Sequence, residues 1–181
     1  MTVRADYPDD LLARAARIRL ACFDVDGTLT DGRLLFDADG REMKAFHVHD
    51  GQGLALLRRA GIAVALVTAR ASPAVERRAA ELGAEAHCAV GDKLARLDEI
   101  RARLGLGREE VAFMGDDLPD LAPMRAAGLA VAPANAHAWT AAHAHWRTAA
   151  RGGEGAAREL CDLLLAAQGR IDALLAAEPA P

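Results

Sequence analysis

Residues 62–68 read Ile-Ala-Val-Ala-Leu-Val-Thr, an apolar and largely β-branched run that turns polar only at its last position. A strand of that composition has no wet face, so it belongs inside a sheet covered on both sides. Leu20–Val25, Val111–Met114 and Leu129–Ala132 repeat the pattern. Stretches of helical character separate them. Strands alternating with helices of about 10–15 residues predict an α/β fold, with a central parallel sheet and helices on both faces.

Local punctuation assigns the other elements. A short amphipathic helix is expected over Pro8–Arg17, and another over Leu54–Ala60, stopped by Gly61. Ser72-Pro73 opens a helix that Gly83 closes. Glu85–Val90 is read as holding a short strand, with helices over Lys93–Leu104 and Leu118–Ala127. Arg33–Val48 reads as two strands around Asp39-Gly40, a hairpin. The carboxyl end is expected to hold a helix near Asn135–His143, a short strand at Trp146–Thr148 and a loop at Gly152-Gly153. A helix from about Gly155 to Gln168 follows, and the tail after Gly169 is expected to fray. With no internal repeat, residues 1–181 are expected to form one domain. Its insertion is the hairpin at about 33–48, and it ends in an arm and helix at about 150–170.

Composition excludes several function classes. The formal net charge of −4 argues against a general nucleic-acid binder, which needs a basic face. No apolar run approaches the roughly 20 residues of a membrane span. The amino-terminal segment lacks the apolar stretch of a signal peptide, so a cytoplasmic location is expected. The three cysteines, Cys22, Cys88 and Cys161, are widely spaced and read as reduced thiols.

Open parallel sheets bind ligands outside the carboxyl ends of their strands. Asp24, Thr68 and Asp116 each fall at or just past such an end. In Phe-Asp-Val-Asp-Gly-Thr, residues 23–28, two carboxylates two positions apart enter one cavity if the chain turns at once, which Gly27 permits. Gly-Asp-Asp-Leu-Pro-Asp, residues 115–120, adds three more carboxylates. Two acidic clusters joined by the sheet suit a hard divalent cation such as Mg²⁺. Val67–Arg70 and Gly91-Asp92-Lys93 are weaker signals alone. Asp117 and Asp120 also suit a helix amino terminus, where the dipole favours acids. Lys93, Arg70 and Arg78 also fit a solvated helix face, and His47 and His49, two apart on an expected strand, have no third metal ligand beside them.

Taken in order, these segments resemble the four motifs of the haloacid dehalogenase superfamily of phosphohydrolases. The resemblance implies a three-layer Rossmann-like fold and an aspartyl-phosphate intermediate on Asp24. Asp26 serves as acid and then base. It also implies Mg²⁺ held by Asp24, the backbone carbonyl of Asp26 and Asp116, with Asp117 and Asp120 orienting the outer ligands, while Thr68 and Lys93 face the phosphoryl group. Asp at position 26 is the residue of phosphatases and mutases rather than of transport ATPases or dehalogenases. The intervals of 44, 25 and 23 positions between Asp24, Thr68, Lys93 and Asp116 leave no room for an inserted cap.

The longer segments 24–32, 44–54, 67–70, 91–93, 114–120 and 151–169 resemble the 3-deoxy-D-manno-octulosonate 8-phosphate phosphatase family. That resemblance implies a phosphomonoesterase of lipopolysaccharide biosynthesis acting on a small sugar acid phosphate. It places substrate contacts at His47, Val48, His49, Asp50, Gly51, Arg70, Arg78 and Lys93. It also implies a homotetramer with hairpins at its centre and carboxyl-terminal segments reaching neighbouring sites. His47, His49, Ala69 and Glu154 depart from residues frequent in that family, which leaves a nine-carbon keto-deoxy sugar acid phosphate as the alternative substrate. A protein or nucleic-acid phosphatase and a non-catalytic regulatory module are the other classes. The retained Asp24, Asp26, Lys93 and Asp116 speak against the last.

Overall fold

The computed structural model describes residues 7–177, so the reading of the first six residues lies outside it. The elements are α1 (Asp9–Ala15), β1 (Leu20–Phe23), β2 (Leu35–Phe36), β3 (Glu42–Met43), α2 (Val48–Arg59), β4 (Ala63–Val67), α3 (Pro73–Leu82), β5 (Glu85–His87), α4 (Lys93–Arg103), β6 (Val111–Met114), α5 (Leu121–Ala126), β7 (Leu129–Ala132), α6 (Ala138–Ala141), β8 (Trp146–Arg147), α7 (Ala156–Ala167) and α8 (Ile171–Ala176). Six strands form one parallel sheet in the order β5-β4-β1-β6-β7-β8. The hairpin β2-β3 stands apart as a two-stranded antiparallel ribbon.

The apolar runs form strands because each has two dry faces to fill. In β1, Ala21 and Phe23 point into one core and Leu20 and Cys22 into the other. β4, β6 and β7 divide the same way: Val64, Leu66, Ala112, Met114, Leu129 and Val131 on one side, Ala65, Val67, Val111, Phe113, Ala130 and Ala132 on the other. The first face is covered by α1, α2, α3 and α7, and the second by α4 and α5. Full burial of a Leu, Phe or Met side chain is worth about 1.5–3 kcal/mol, so this two-sided core is the main support of the fold.

Several boundaries differ from the expectations. The helix expected from Leu54 begins at Val48, with His47 as its N-cap. The hairpin strands are therefore shorter than residues 33–48, and His49 lies in the first turn of α2 rather than on a strand. The expected helix over Leu118–Ala127 is split into a 3₁₀ turn at Leu118–Asp120 followed by α5. Ile171–Ala176 is helical where fraying was expected, with Ile171 and Leu174 packed against the larger core. The strand expected over Glu85–Val90 ends at His87. Among the described residues there is no cap domain between these elements, and no helix is long and apolar enough to cross a membrane. The thiols of Cys22, Cys88 and Cys161 are free.

Candidate active site

The sheet order reverses at β1, whose neighbours are β4 and β6. A crevice opens at the carboxyl ends of such strands because the following chain segments depart to opposite faces. Here it is lined by Asp24, Asp26, Gly32, Thr68, Ala69, Lys93, Asp116, Asp117, Pro119 and Asp120.

Each side chain reaches the cleft for a local reason. Asp24 follows the last residue of β1, and its backbone N–H donates to Met114 O of β6 at 2.9 Å, extending the ladder by one rung. Gly27 takes φ +95°, a left-handed conformation that turns the chain sharply just after Asp26. A Cβ at Gly27 would fall on the Asp116 carboxylate, so the two acidic segments touch through that hydrogen. Asp92 caps α4 by accepting the Ala95 N–H at 2.9 Å, which aims Lys93, the first helical residue, inward. Thr68 follows β4 and receives the Arg70 N–H on Oγ1 at 3.2 Å.

At the centre, Lys93 Nζ donates to Asp24 Oδ1 at 2.5 Å and to Asp120 Oδ1 at 2.6 Å. The Asp120 Oδ2 accepts the N–H groups of Asp116 and Asp117 at 3.0 and 3.3 Å. Asp120 therefore spends both oxygens on holding Lys93 and the loop of Asp116. Asp117 is exposed and bends its carboxylate onto the Leu118 N–H at 2.8 Å. Burial drives the Asp24 carboxyl well above its ordinary range, and the charge of Asp120 adds to this against the opposing pull of Lys93. Asp116 is raised to about 6 by burial and then by Asp120. Burial opposes the charge on Lys93, but Asp24 and Asp120 outweigh it and raise its pKa.

That arrangement fits a divalent cation. One oxygen from each of Asp24, Asp116 and Asp120 lies within 4.8 Å of the others. Hard carboxylate oxygens crowded around a single ammonium, two of them pushed toward protonation, are a donor set that a cation of Mg²⁺ type would relieve. With Asp120 occupied by hydrogen bonds, Asp24 and Asp116 are the freer ligands. Asp26 cannot add a side-chain ligand readily: its Oδ1 pairs with Lys44, and its Oδ2 accepts from Thr68 Oγ1 at 3.5 Å.

The structure thus brings together Asp24, Asp26, Thr68, Lys93, Asp116, Asp117 and Asp120. Arg70 stands beside them, its guanidinium held by Glu42 Oε1 at 2.9 and 3.0 Å. The other expected substrate contacts lie elsewhere. His47 and His49 pack edge to face at the start of α2, with ring centroids 5.0 Å apart. Among the described residues the metal-like cluster contains neither of them. Val48 is exposed to solvent. Asp50 is 2% exposed, and its Oδ1 accepts the Arg158 N–H at 2.8 Å, which ties α2 to the first turn of α7. Gly51 leaves space that the Arg78 guanidinium fills, and Arg78 lies over the Phe46 ring at 5.9 Å and near Glu81. His47, Asp50, Gly51 and Arg78 line a separate, small cavity with Leu29, Phe46, Leu54, Leu66 and Leu82.

The carboxyl-terminal segment also differs from a free arm. Gly152 is buried against the nucleophile loop, where a Cβ would strike the Gly27 carbonyl, and its N–H donates to Asn135 Oδ1 at 2.6 Å. Asn135 Nδ2 in turn donates to Gly27 O at 3.1 Å. Arg158 pairs with Asp162 at 2.7 Å within α7, and Arg151 is exposed. Gly152 and Gly153 therefore pack on the nucleophile loop of their own chain. Sequence reading overlooked Asn135, Lys44 and Glu42. Their roles depend on contacts 18 to 108 positions away, and only the hairpin alternation, which sets Lys44 opposite exposed Met43, hints at one of them.

Comparison with known proteins agrees with this geometry. Residues 89–160 match the family model described as haloacid dehalogenase-like hydrolase. The chain is 43% identical over 165 residues to the 3-deoxy-D-manno-octulosonate 8-phosphate phosphatase KdsC of Yersinia pestis, covering 91% of this chain and 88% of that one. A solved structure of a hypothetical protein from Xanthomonas campestris is 57% identical, with a TM-score of 0.95 and coverage of 97% and 96%. The 3-deoxy-D-manno-octulosonate 8-phosphate phosphatase of Moraxella catarrhalis, solved with magnesium, phosphate and KDO, is 40% identical, with a TM-score of 0.91 and coverage of 94% and 98%. On the strength of the matched sequence, fold and acidic cleft, this chain belongs to the 3-deoxy-D-manno-octulosonate 8-phosphate phosphatase family of haloacid dehalogenase-like hydrolases.

Proposed function

We propose that the protein hydrolyses 3-deoxy-D-manno-octulosonate 8-phosphate to the free sugar acid and phosphate, as a Mg²⁺-dependent cytoplasmic enzyme of lipopolysaccharide biosynthesis. The observation that carries this reading is the Asp24–Lys93 pair, 2.5 Å apart at the switch point of the sheet and flanked by Asp26 and Asp116. The substrate is the one named for the relatives at 40–43% identity.

Asp24 and Asp116 would hold Mg²⁺, which would supply charge to offset that of the phosphate. Asp24 attacks phosphorus and displaces the sugar alcohol, forming the aspartyl phosphate. Asp26 gives its proton to the departing oxygen, then takes one from the water that opens the acyl phosphate. Thr68 donates its hydroxyl to a phosphoryl oxygen, and Lys93 stabilises charge on both Asp24 and the transferring group. Asp120 holds Lys93, and Asp117 stands at the mouth. Arg70, paired with Glu42 beside the cleft, is the cation we assign to a sugar carboxylate. His47, Val48, His49, Gly51 and Arg78 lie outside this cleft.

Exposed Leu34, Leu35, Phe36, Met43 and Val48 support self-association through the hairpin, with a homotetramer as the expected form. Light scattering at assay concentration tests this, and a fully active monomer would refute it.

Phosphate release from purified protein, measured with eight- and nine-carbon keto-deoxy sugar acid phosphates, tests the substrate. A preference of at least about tenfold in kcat/KM for the eight-carbon compound is expected, a step of about 1.4 kcal/mol. The opposite preference would establish the nine-carbon reading. Activity that survives excess EDTA would refute the metal.

A further inference from the structure

We infer that Lys44, on the hairpin, is a positioning residue for Asp26, and that the hairpin is thereby a working wall of the active site. The inference rests on the reading of Asp26 as the acid and base.

The Lys44 side chain is 2% exposed although it follows Met43, which is 51% exposed, on a ribbon with solvent at its side. Strand alternation turns it inward. A buried ammonium is retained only when paired, and Lys44 has two partners. It donates to Asp26 Oδ1 and lies 3.3 Å from Glu42 Oε1. The same Glu42 oxygen receives Arg70. One connected set therefore runs from Thr68 through Asp26, Lys44 and Glu42 to Arg70.

Asp26 opens a tight turn, and that turn does not fix the plane of its carboxylate. Lys44 on one oxygen does so; Thr68, 3.5 Å from the other, turns its hydroxyl to the phosphoryl group when substrate binds. Asp26 and Thr68 line the cleft, whereas Lys44 does not. The ammonium thus stands behind the acid and acts through it. A carboxyl group that must serve an alcohol oxygen and then a water needs a fixed direction in both steps, because small misplacements of a reacting group are costly.

A double-mutant cycle tests this. kcat and KM are measured for the parent, Lys44→Met, Asp26→Asn and the double variant, on the sugar phosphate and on p-nitrophenyl phosphate, with thermal melts of each. Lys44→Met is expected to lower kcat about 10- to 100-fold on the sugar phosphate while KM changes less than about threefold. In the Asp26→Asn background the same substitution should lower kcat by less than about twofold, since the residue it serves is gone. Lys44→Arg should recover about a third or more of the parent kcat. An equal loss in both backgrounds would overturn the inference, as would a rise in KM with kcat unchanged, or a loss of activity that merely follows the melting temperature across both Lys44 variants. If the parent fails to turn over the sugar phosphate, the substrate reading fails alone, and the cycle is still read on p-nitrophenyl phosphate.

Discussion

The floor of the cleft and its hairpin side support their residues in different ways. Asp24, Thr68 and Asp116 follow strands of a parallel sheet buried on both faces, and β1 at the centre is hydrogen-bonded on either edge. Lys44 and Glu42 belong to a ribbon with only two residue pairs, Leu35 with Met43 and Phe36 with Glu42. The floor is rigid because of its core, and its polar groups are free to be spent on chemistry. The hairpin has little core, so its ion pairs with Asp26 and Arg70 fasten it to the floor as well as orienting those groups. Reactive groups sit where the scaffold is stiffest, and the groups that aim them sit on the more adjustable element.

The largest effect that sharpens this contrast is at the floor. Asp24→Asn should abolish turnover, a loss of about 10⁴-fold or more, while the melting temperature holds or rises as a buried carboxylate is removed. Steady-state assay with calorimetry checks both, and substantial residual turnover would remove the nucleophile from the mechanism. Asp26→Asn, at the junction of the two regions, should cost about 10²–10⁴-fold on a sugar phosphate and less on p-nitrophenyl phosphate, whose leaving group needs no proton. Similar losses on both substrates would dissociate Asp26 from the departing oxygen.

A smaller effect concerns charge on the floor. The Asp116 carboxyl is raised from 3.8 to about 6. Its folded-state pKa lies above the unfolded one, so its contribution to stability is present below about pH 4 and is lost as pH rises through about 6. Mg²⁺ should therefore raise the melting temperature by about 5 °C at pH 7.5 and by much less at pH 5, where protons compete for the ligand. Equal shifts at the two pH values would mean that the cation binds away from Asp116. The smallest effect is expected at the start of α2. His49→Ala should change kcat/KM by less than about threefold if that helix end lies outside the working site. A loss matching that of Asp26→Asn would erase the distinction between the regions and bring α2 into the substrate's reach.

The floor is readable from sequence because its signals are local: an apolar run, then an acid, then a glycine, as in residues 20–27. The start of α2 is not. Asp50-Gly51-Gln52-Gly53 carries two glycines, each costing a helix about 1 kcal/mol relative to Ala, and it resembles a loop. They are tolerated because Arg78 fills the space at Gly51, and α7 presses Cys161 and the stem of Arg158 to 3.0 Å from where a Cβ of Gly53 would stand. Asp50 has the look of a cleft acid, yet its partner is an N–H 108 positions away. Long-range partners of this kind leave no trace in spacing.

Residues from β8 to α7 close the nucleophile loop through Gly152 and Asn135, and α7 supplies seven buried residues to the face shared with α1 and α2. During vectorial synthesis the residues of the cleft, the last of them Asp120, leave the ribosome before that helix does. A nascent chain of about 150 residues therefore carries all of its reactive side chains but exposes an apolar face and an unbraced loop. Competence arrives with α7, so a helix that carries no reactive side chain sets the time at which the site becomes whole.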